Sequence, residues 1–154
     1  MALIFLWLYV ASCSNTASPL DLVHDEFAVE QGELREVIEG IVSDAETANL
    51  EGLKEIHLAS DKFTKFGPRN FERQGVDNSN KSELEFFGTV SNYQEQVKDL
   101  KIDVFGEVGI ATYYRDVSFE QDGEEKTVYL RQTLVFLKTV AGWKIVHEHG
   151  TRPQ

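Results

Sequence analysis

The sequence is poor in cysteine, histidine and basic residues. One cysteine in 154 residues excludes an internal disulfide, and together with four histidines it is too little for a zinc ribbon or zinc finger. Only 15 Lys and Arg residues stand against 26 Asp and Glu residues, which gives a formal charge of −11. Nucleic acid and an anionic membrane surface are therefore poor partners for this chain.

What the chain does contain is enough apolar material for a core. Hydrophobic residues make up 42% of the sequence and aromatic residues 11%, values that are typical of a folded globular protein and not of a disordered one. The length is that of one domain. We therefore expect one small, acidic globular domain.

The beginning of the chain has the pattern of an export signal. Residues 2–11 are apolar and carry no charge, and this run is too short to span a bilayer, which takes about 20 residues. The next segment, residues 10–13 with the letters VASC, resembles the lipobox of bacterial lipoproteins, whose cysteine receives the lipid. We therefore expect an export signal at residues 1–13, a polar tether at 14–25 and a domain at 26–152. The alternative is an ordinary secretory signal in which Cys13 has no role.

Helices are predicted in the first half of the domain. Apolar residues recur at helical spacing from residue 29 to residue 48 and predict a long amphipathic helix. Asn49 is a suitable cap for a second, short helix that ends near Ser60 and turns His57 inward. Ser82 and Glu85 have the spacing of a capping box, which predicts that a third helix begins there and runs to residue 90.

Strands dominate the second half. A short strand is predicted at residues 62–66, before a loop at 69–79, and four longer strands are predicted at 97–105, 108–119, 126–139 and 143–149. Asp122-Gly123 lies between two of these runs and indicates a hairpin turn. Helices followed by an antiparallel meander predict an α+β domain whose sheet curls around the long helix.

Three segments in this order resemble the nuclear transport factor 2-like superfamily, and within it the SnoaL-like group and the association domain of calcium/calmodulin-dependent protein kinase II. The segments are residues 63–68, residues 105–115 and residues 131–149, and the order of helices and strands ends in GWKIVHEHGT at residues 142–151. The resemblance implies a cone-shaped α+β barrel, in which three N-terminal helices pack on a strongly curved, mainly antiparallel sheet. It also implies a homodimer and a cavity at one end of the cone.

The resemblance also points to particular residues. Arg115 matches a pocket arginine of the kinase domain, and Arg131 with Thr133 matches an Arg-x-Thr pattern of bacterial SnoaL-like members. At the positions that match two further arginines of the kinase pocket, this sequence has Leu134 and Gly150. The resemblance therefore does not extend to the whole anion-binding arginine cluster of the kinase domain. The dimer is therefore implied, whereas the ring-like assembly of the kinase domain is not.

Every second side chain along a strand lies on the same face of the sheet. The residues that share a face with a matched residue are therefore the candidates for the cavity lining. If Asp122-Gly123 forms a two-residue turn, Arg115 and Arg131 point to opposite faces, but parity alone does not fix the register between strands. The candidate ligand-binding residues are Tyr113, Arg115, Tyr129, Arg131, His147 and His149.

These residue types leave two interpretations open. A buried arginine needs a partner, which is either the carboxylate of a ligand or an acid of the same chain. His147 and His149 share a face but have no third ligand at a recognisable spacing, so we expect neither a metal nor another cofactor. Histidine is nevertheless a suitable proton carrier near neutral pH, and Tyr113 or Tyr129 is able to orient a carbonyl group.

No residue stands out as catalytic in the sequence. We therefore expect an exported, dimeric, non-catalytic module of the cell envelope or periplasm that binds a small molecule such as a carboxylate. Its only link to the membrane is the lipid, and secretion is the alternative address. The alternative function is a small enzyme of the ketosteroid-isomerase or polyketide-cyclase kind, which acts on a carbonyl compound with His or Asp as acid and base.

Lipidation of Cys13 is open to a direct test. If residues 10–13 are a lipobox, mass spectrometry of the protein purified from bacterial membranes should find a mature chain that begins at an acylated Cys13. The variant Cys13→Ser should lose this modification. An N-terminal peptide with a free Cys13 thiol would contradict lipidation.

Overall fold

A computed structural model describes residues 20–68 and 70–153 of the chain. The proposed export signal, Cys13 and the first part of the proposed tether lie outside the described residues. Within those residues, no helix combines the length and the apolar character that a membrane span requires.

The first helix, α1 (Ala28–Glu46), forms because its apolar residues recur on one stripe. Leu34, Ile38 and Ala45 on this stripe are buried, whereas the acidic residues between them face outward. The prediction of a helix at residues 29–48 is confirmed to within two residues at each end. The helix lies against the concave face of the sheet, where it provides one wall of the core.

The two shorter helices differ in how well the sequence predicted them. In α2 (Leu50–Ile56) the Asn49 side chain accepts a hydrogen bond from the Gly52 backbone N–H at 3.3 Å, as a cap does. The third helix, α3 (Val76–Phe87), begins after Gly75, so the predicted start at Ser82 is wrong. Ser82 lies inside the helix, where its hydroxyl donates to a backbone carbonyl one turn earlier instead of capping the end.

Five strands form one mixed sheet: β1 (Thr64–Phe66), β2 (Ser91–Phe105), β3 (Val108–Gln121), β4 (Glu124–Thr139) and β5 (Gly142–Thr151). Their order is β1-β5-β4-β3-β2, with β1 parallel to β5 and the other pairs antiparallel. The α+β cone with helices on a curved sheet is confirmed, although the sheet is not closed. β2 begins earlier than predicted because irregular residues with positive φ, Asn92 and Asp99, interrupt its alternation.

The turn between β3 and β4 settles which arginine faces inward. Asp122 and Gly123 both have positive φ, 57° and 79°, as a two-residue type I′ turn requires. The resulting register pairs Arg115 with Leu130 and Tyr114 with Arg131. Arg115 therefore lies on the concave face and Arg131 on the convex face, as the two-residue turn predicts.

The narrow end of the cone is filled by side chains. Leu34 of α1 packs against the β3 backbone at Gly109, where an added Cβ would lie 2.3 Å from the leucine Cδ1, so a larger residue would displace this buried side chain. Trp143 is buried beside them, and its indole N–H donates to Glu33 Oε2 at 2.8 Å. The free volume of the cone is therefore at its other end.

Candidate functional site

The wide end of the cone holds a cavity of about 530 Å³, a volume typical of small-molecule sites. The concave face of the sheet forms one side, and α2, α3 and the segment after β1 form the other. Much of the lining is apolar and includes Ile41, Leu53, Phe86, Phe87, Phe119 and Val128. Such walls favour a ligand with a large apolar part.

Aromatic rings form part of this apolar lining. Phe86 meets Phe87 and Phe119 edge to face, each with ring centroids 5.3 Å apart. Tyr93 lies 5.2 Å from Phe87. Edge-to-face contacts of this kind add to the burial of the rings and fix their orientation, so α3 is held against β2 and β3.

A first charged cluster lies on the sheet side of the cavity. Arg115 Nη2 donates to Glu95 Oε2 at 2.6 Å and to the Tyr93 hydroxyl at 2.8 Å, and this hydroxyl donates to the same carboxylate oxygen at 2.7 Å. Burial, reinforced by the Glu95 charge, raises the pKa of Tyr93, although Arg115 opposes the shift. The partner of Arg115 in the structure is therefore Glu95, an acid of the same chain, which was one of the two partners considered from the sequence.

A second charged cluster lies where β1 meets β5 and α3. The Lys65 ammonium is 2.6 Å from Glu83 Oε1 and 3.1 Å from Glu148 Oε2. Burial alone would lower the pKa of Lys65, but the charges of the two carboxylates outweigh it and raise this pKa. Burial would likewise raise the pKa of Glu148, yet Lys65 and His57 hold it well below its usual range. Gln132 donates to the other oxygen of Glu148 at 3.1 Å.

His57, which follows α2, completes this cluster. Its Nδ1 lies 2.8 Å from Asn80 Oδ1, an acceptor, so Nδ1 carries a proton. Its Nε2 lies 3.7 Å from Glu148 Oε2 and 3.8 Å from Glu83 Oε1. Burial would lower the pKa of His57, but the hydrogen bond to Glu148 and the two carboxylate charges raise it. The imidazole is therefore a proton-carrying group in the cavity wall.

The second cluster also has the composition of a metal site. His57, Glu83 and Glu148 offer ligand atoms that all lie within 4.8 Å of one another. The Lys65 ammonium, however, already contacts both carboxylates and supplies the positive charge that a metal ion would bring. The donor set as folded therefore fits an internal ion-pair network better than a bound metal.

A β-bulge in the last strand decides which of its side chains reach the cavity. β5 pairs His147 with Val135 and Ile145 with Phe136, so Val146 is an extra residue. Ile145 and Glu148 consequently both line the cavity. His147 and His149, which strict alternation would place beside Ile145, lie on the convex face.

The structure thus separates the six candidate residues. Tyr113 and Arg115 line the cavity, whereas Tyr129, Arg131, His147 and His149 are not among its lining residues. Tyr129 and Arg131 face outward because of the β3–β4 register, and the two histidines do so because of the bulge. His147 instead shares a hydrogen bond of 2.8 Å with the Thr64 hydroxyl.

Several charged residues of the cavity were missed in the sequence: Lys65, Glu83, Glu95 and Glu148. One of them had a usable signal. Lys65 alternates with Phe63, which is fully buried, and residues two apart on a strand share a face. The glutamates had none, because a chain with 26 acids offers no local sign of which ones fold inward.

The comparisons with known proteins agree with this architecture. The solved structures that this chain resembles have the nuclear transport factor 2-like fold, and the chain shares that fold. More narrowly, the family model of the SnoaL-like domain matches residues 34–153, so the chain belongs to the SnoaL-like family. No curated protein matches the chain at a significant level.

Three solved structures illustrate the similarity. A proposed dehydratase of the same superfamily from Streptomyces avermitilis has a TM-score of 0.76 at 15% identity, over 82% of this chain and 98% of its own. A nuclear transport factor 2-like superfamily protein from Salmonella enterica has a TM-score of 0.75 at 19% identity, over 82% and 93%. A proposed calcium/calmodulin-dependent protein kinase II association domain from Xanthomonas campestris has a TM-score of 0.68 at 11% identity, over 79% and 86%.

We predict opposite pH dependences for the contributions of His57 and His147 to the free energy of unfolding. The pKa of His57 is raised on folding, so its contribution is complete below its ordinary pKa of 6.5 and is lost as the pH rises through the raised value. Urea unfolding of His57→Gln should therefore show a larger loss of stability at about pH 6 than at about pH 9.

His147 is the matched control. Burial and the nearby His149 lower its pKa, so the folded state disfavours its charged form. The difference between the two pH values should therefore have the opposite sign for His147→Gln. Equal losses at both pH values for His57→Gln would show that its charge is not coupled to Glu148.

Proposed function

We propose that this SnoaL-like protein binds a small, mainly apolar molecule with one polar end in the cavity of the cone. The observation that carries the proposal is the composition of the cavity, in which aromatic and aliphatic walls surround polar groups that are fixed by one another. Glu95 holds Arg115, and Glu83 and Glu148 hold Lys65. Because these polar groups are already fixed, a ligand that binds them loses little free energy to the ordering of side chains.

Export, lipid anchoring and a dimer belong to the same proposal. The pattern of residues 1–13 supports export, and Cys13 supports the lipid anchor. The dimer rests on the resemblance to the superfamily. In this proposal the domain is a binding module held at the envelope by its tether.

The cavity is tested with an uncharged fluorescent probe, N-phenyl-1-naphthylamine. The wild-type protein should enhance its fluorescence in a saturable way. Leu130 lines the cavity, so Leu130→Trp should fill part of the space and weaken binding by about tenfold or more, which corresponds to the loss of about 1.4 kcal/mol.

Tyr129→Trp is the control, because Tyr129 precedes Leu130 but is 59% exposed and does not line the cavity. This variant should bind the probe as the wild type does. Equal weakening by both substitutions, or no saturable binding to the wild type, would contradict the proposal. The proposed dimer is tested by sedimentation equilibrium of the same samples. The measured mass should be twice the mass of the chain, and the mass of a single chain would contradict the dimer.

Acid–base catalysis is the second candidate function, and one specific observation favours it. His57 lines the cavity with one ring nitrogen on Asn80 and the other facing Glu148, so it is oriented and able to exchange a proton. The fold is also that of a proposed dehydratase. No aspartate is among the described residues of the cavity lining, so His57 is the candidate acid or base.

Proton exchange on a ketone tests this function without knowledge of the substrate. Removal of an α-proton leaves the enolate, and transfer of a deuteron from D₂O to the same carbon gives the labelled ketone. If His57 carries the proton, the protein should exchange the methyl protons of 2-acetylnaphthalene faster than buffer does, as followed by NMR. His57→Gln should lose about a hundredfold or more of this rate. His147→Gln should retain it, and exchange that survives His57→Gln would exclude His57 as the proton carrier.

A further inference from the structure

The narrow end of the cone carries an exposed apolar surface. Of the twelve large hydrophobic side chains that are exposed among the described residues, six lie around the hairpin turns of this end and in the segment before α1. These six residues are the apolar rim: Leu20, Leu22, Val23, Phe105, Val108 and Val140. Apolar side chains gathered in this way on a surface mark a place where the protein meets another apolar or interfacial surface.

The segment before α1 supplies one half of the apolar rim. Leu20 and Leu22 lie on the β2–β3 turn, since a Cβ added at Gly106 would lie 3.8 Å and 3.3 Å from their Cδ2 atoms. Asp21 Oδ1 accepts a hydrogen bond from the Val23 backbone N–H at 3.1 Å, which fixes a turn that leaves Val23 77% exposed. This segment is therefore packed on the end of the sheet with apolar side chains still facing outward.

The other half of the apolar rim comes from two hairpin turns. Phe105 and Val108 pair with each other across the β2–β3 turn. Val140 lies in the turn between β4 and β5, where its side chain is fully exposed. The Lys138 backbone N–H donates to the Glu107 carbonyl at 2.8 Å and so joins the two turns. The six side chains therefore belong to one end of the domain.

The position of the apolar rim along the chain identifies the surface that it meets. Leu20 follows seven residues after Cys13, the proposed attachment point of the lipid. An extended chain spans about 3.5 Å per residue, so the apolar rim begins within about 25 Å of that attachment point. The hydrocarbon core of a bilayer is itself about 30 Å thick. A lipid on Cys13 therefore keeps the apolar rim next to the membrane.

The charges beside the apolar rim decide which membrane surface fits it. Asp21 and Glu107 stand between its apolar residues. Lys138 and His24 beside them are themselves paired, with Glu33 at 2.8 Å and with Asp21 at 2.9 Å. An anionic lipid surface would repel these acids, whereas zwitterionic phospholipids carry no net charge. The apolar rim therefore fits the interface of a zwitterionic bilayer.

We propose that the apolar rim docks on the zwitterionic surface of the membrane that holds the lipid, with the narrow end of the cone toward the bilayer. The wide end then points away from the membrane, and the cavity takes its ligand from the aqueous side. This inference rests on the proposed lipid anchor. It adds a second, orienting contact to the lipid, which was the only link to the membrane expected from the sequence.

The orientation is tested with the full chain, purified from bacterial membranes and reconstituted into phosphatidylcholine vesicles. Cys13 is the only cysteine of the chain and is acylated in this proposal, so an added cysteine is the one thiol that a label reaches. Val140→Cys places the fluorophore nitrobenzoxadiazole on the apolar rim. Its emission should shift to shorter wavelength in the vesicles, and phospholipid with a nitroxide on its acyl chain should quench it, because the label lies in the interface.

Phe71→Cys is the matched control. Phe71 is also apolar and is 94% exposed, but it lies in the loop after β1, next to Asn70 of the cavity mouth. The nitroxide lipid should not quench a label at this position. Val23→Asp in the Val140→Cys protein should reduce the quenching, since a carboxylate is costly to bring into the bilayer. Leu84→Asp, at an exposed position of α3, should not.

The outcomes separate the docking of the apolar rim from the lipid anchor. An acylated Cys13 with a label at position 140 that remains in water would overturn the docking and leave the lipid anchor in place. A blue-shifted label that the nitroxide lipid does not quench would mean that protein covers the apolar rim, and equal quenching at positions 71 and 140 would mean that the domain has no fixed orientation. Either result would overturn the inference. A free Cys13 thiol would contradict the lipid anchor and the docking together.

Discussion

The ion pair between Lys65 and Glu148 joins the two strands that complete the sheet. Lys65 lies on β1 and Glu148 on β5, and the parallel register places them directly opposite each other. Their side chains are only 11% and 13% exposed, so each depends on the other, because a charge removed from water without a partner costs several kcal/mol. Glu83 brings α3 to the same lysine, and His57 brings the end of α2 to the same carboxylate. One side of the cavity wall is thus assembled around this pair.

The bulge at Val146 is what allows this pair to form. Without the extra residue, alternation from Trp143 and Ile145 would turn His147 inward and Glu148 outward. Lys65 would then face an imidazole instead of a carboxylate. One inserted residue therefore sets the charge of the cavity wall and moves both histidines of β5 to the convex face, where the Thr64 hydroxyl meets one of them.

The same fold is found in proteins that share only 11–19% of their residues with this chain, so the fold by itself does not determine a function. The specific feature of this chain is the pair of compensated charge clusters, Arg115 with Glu95 and Lys65 with Glu83 and Glu148, between the apolar walls of the cavity. Both candidate functions use this arrangement. Binding needs the fixed polar groups, and catalysis needs in addition that His57 exchanges its proton with the ligand.

The sequence by itself determined the elements whose patterns are local. The apolar period of α1 and the alternation along β3 and β4 were enough to predict the α+β fold. The opposite faces of Arg115 and Arg131 followed only on the condition that Asp122-Gly123 forms a two-residue turn, which the structure shows. The helix and the turn depend on hydrogen bonds within a few residues, and alternation along a strand is a property of adjacent residues, so nearby residues encode these features. The start of α3 was missed because Ser82 and Glu85 also have capping-box spacing inside a helix.

The tertiary structure alone decided the chemistry of the cavity. Its charged groups come from β1, β2, β3, α3 and β5, and their meeting depends on strand register and on a bulge that no local pattern marks. The choice of Glu83, Glu95 and Glu148 from 26 acids follows from which buried cation each one reaches after folding. Pairing of buried charges is a long-range requirement, and it is met only when the whole sheet is in place.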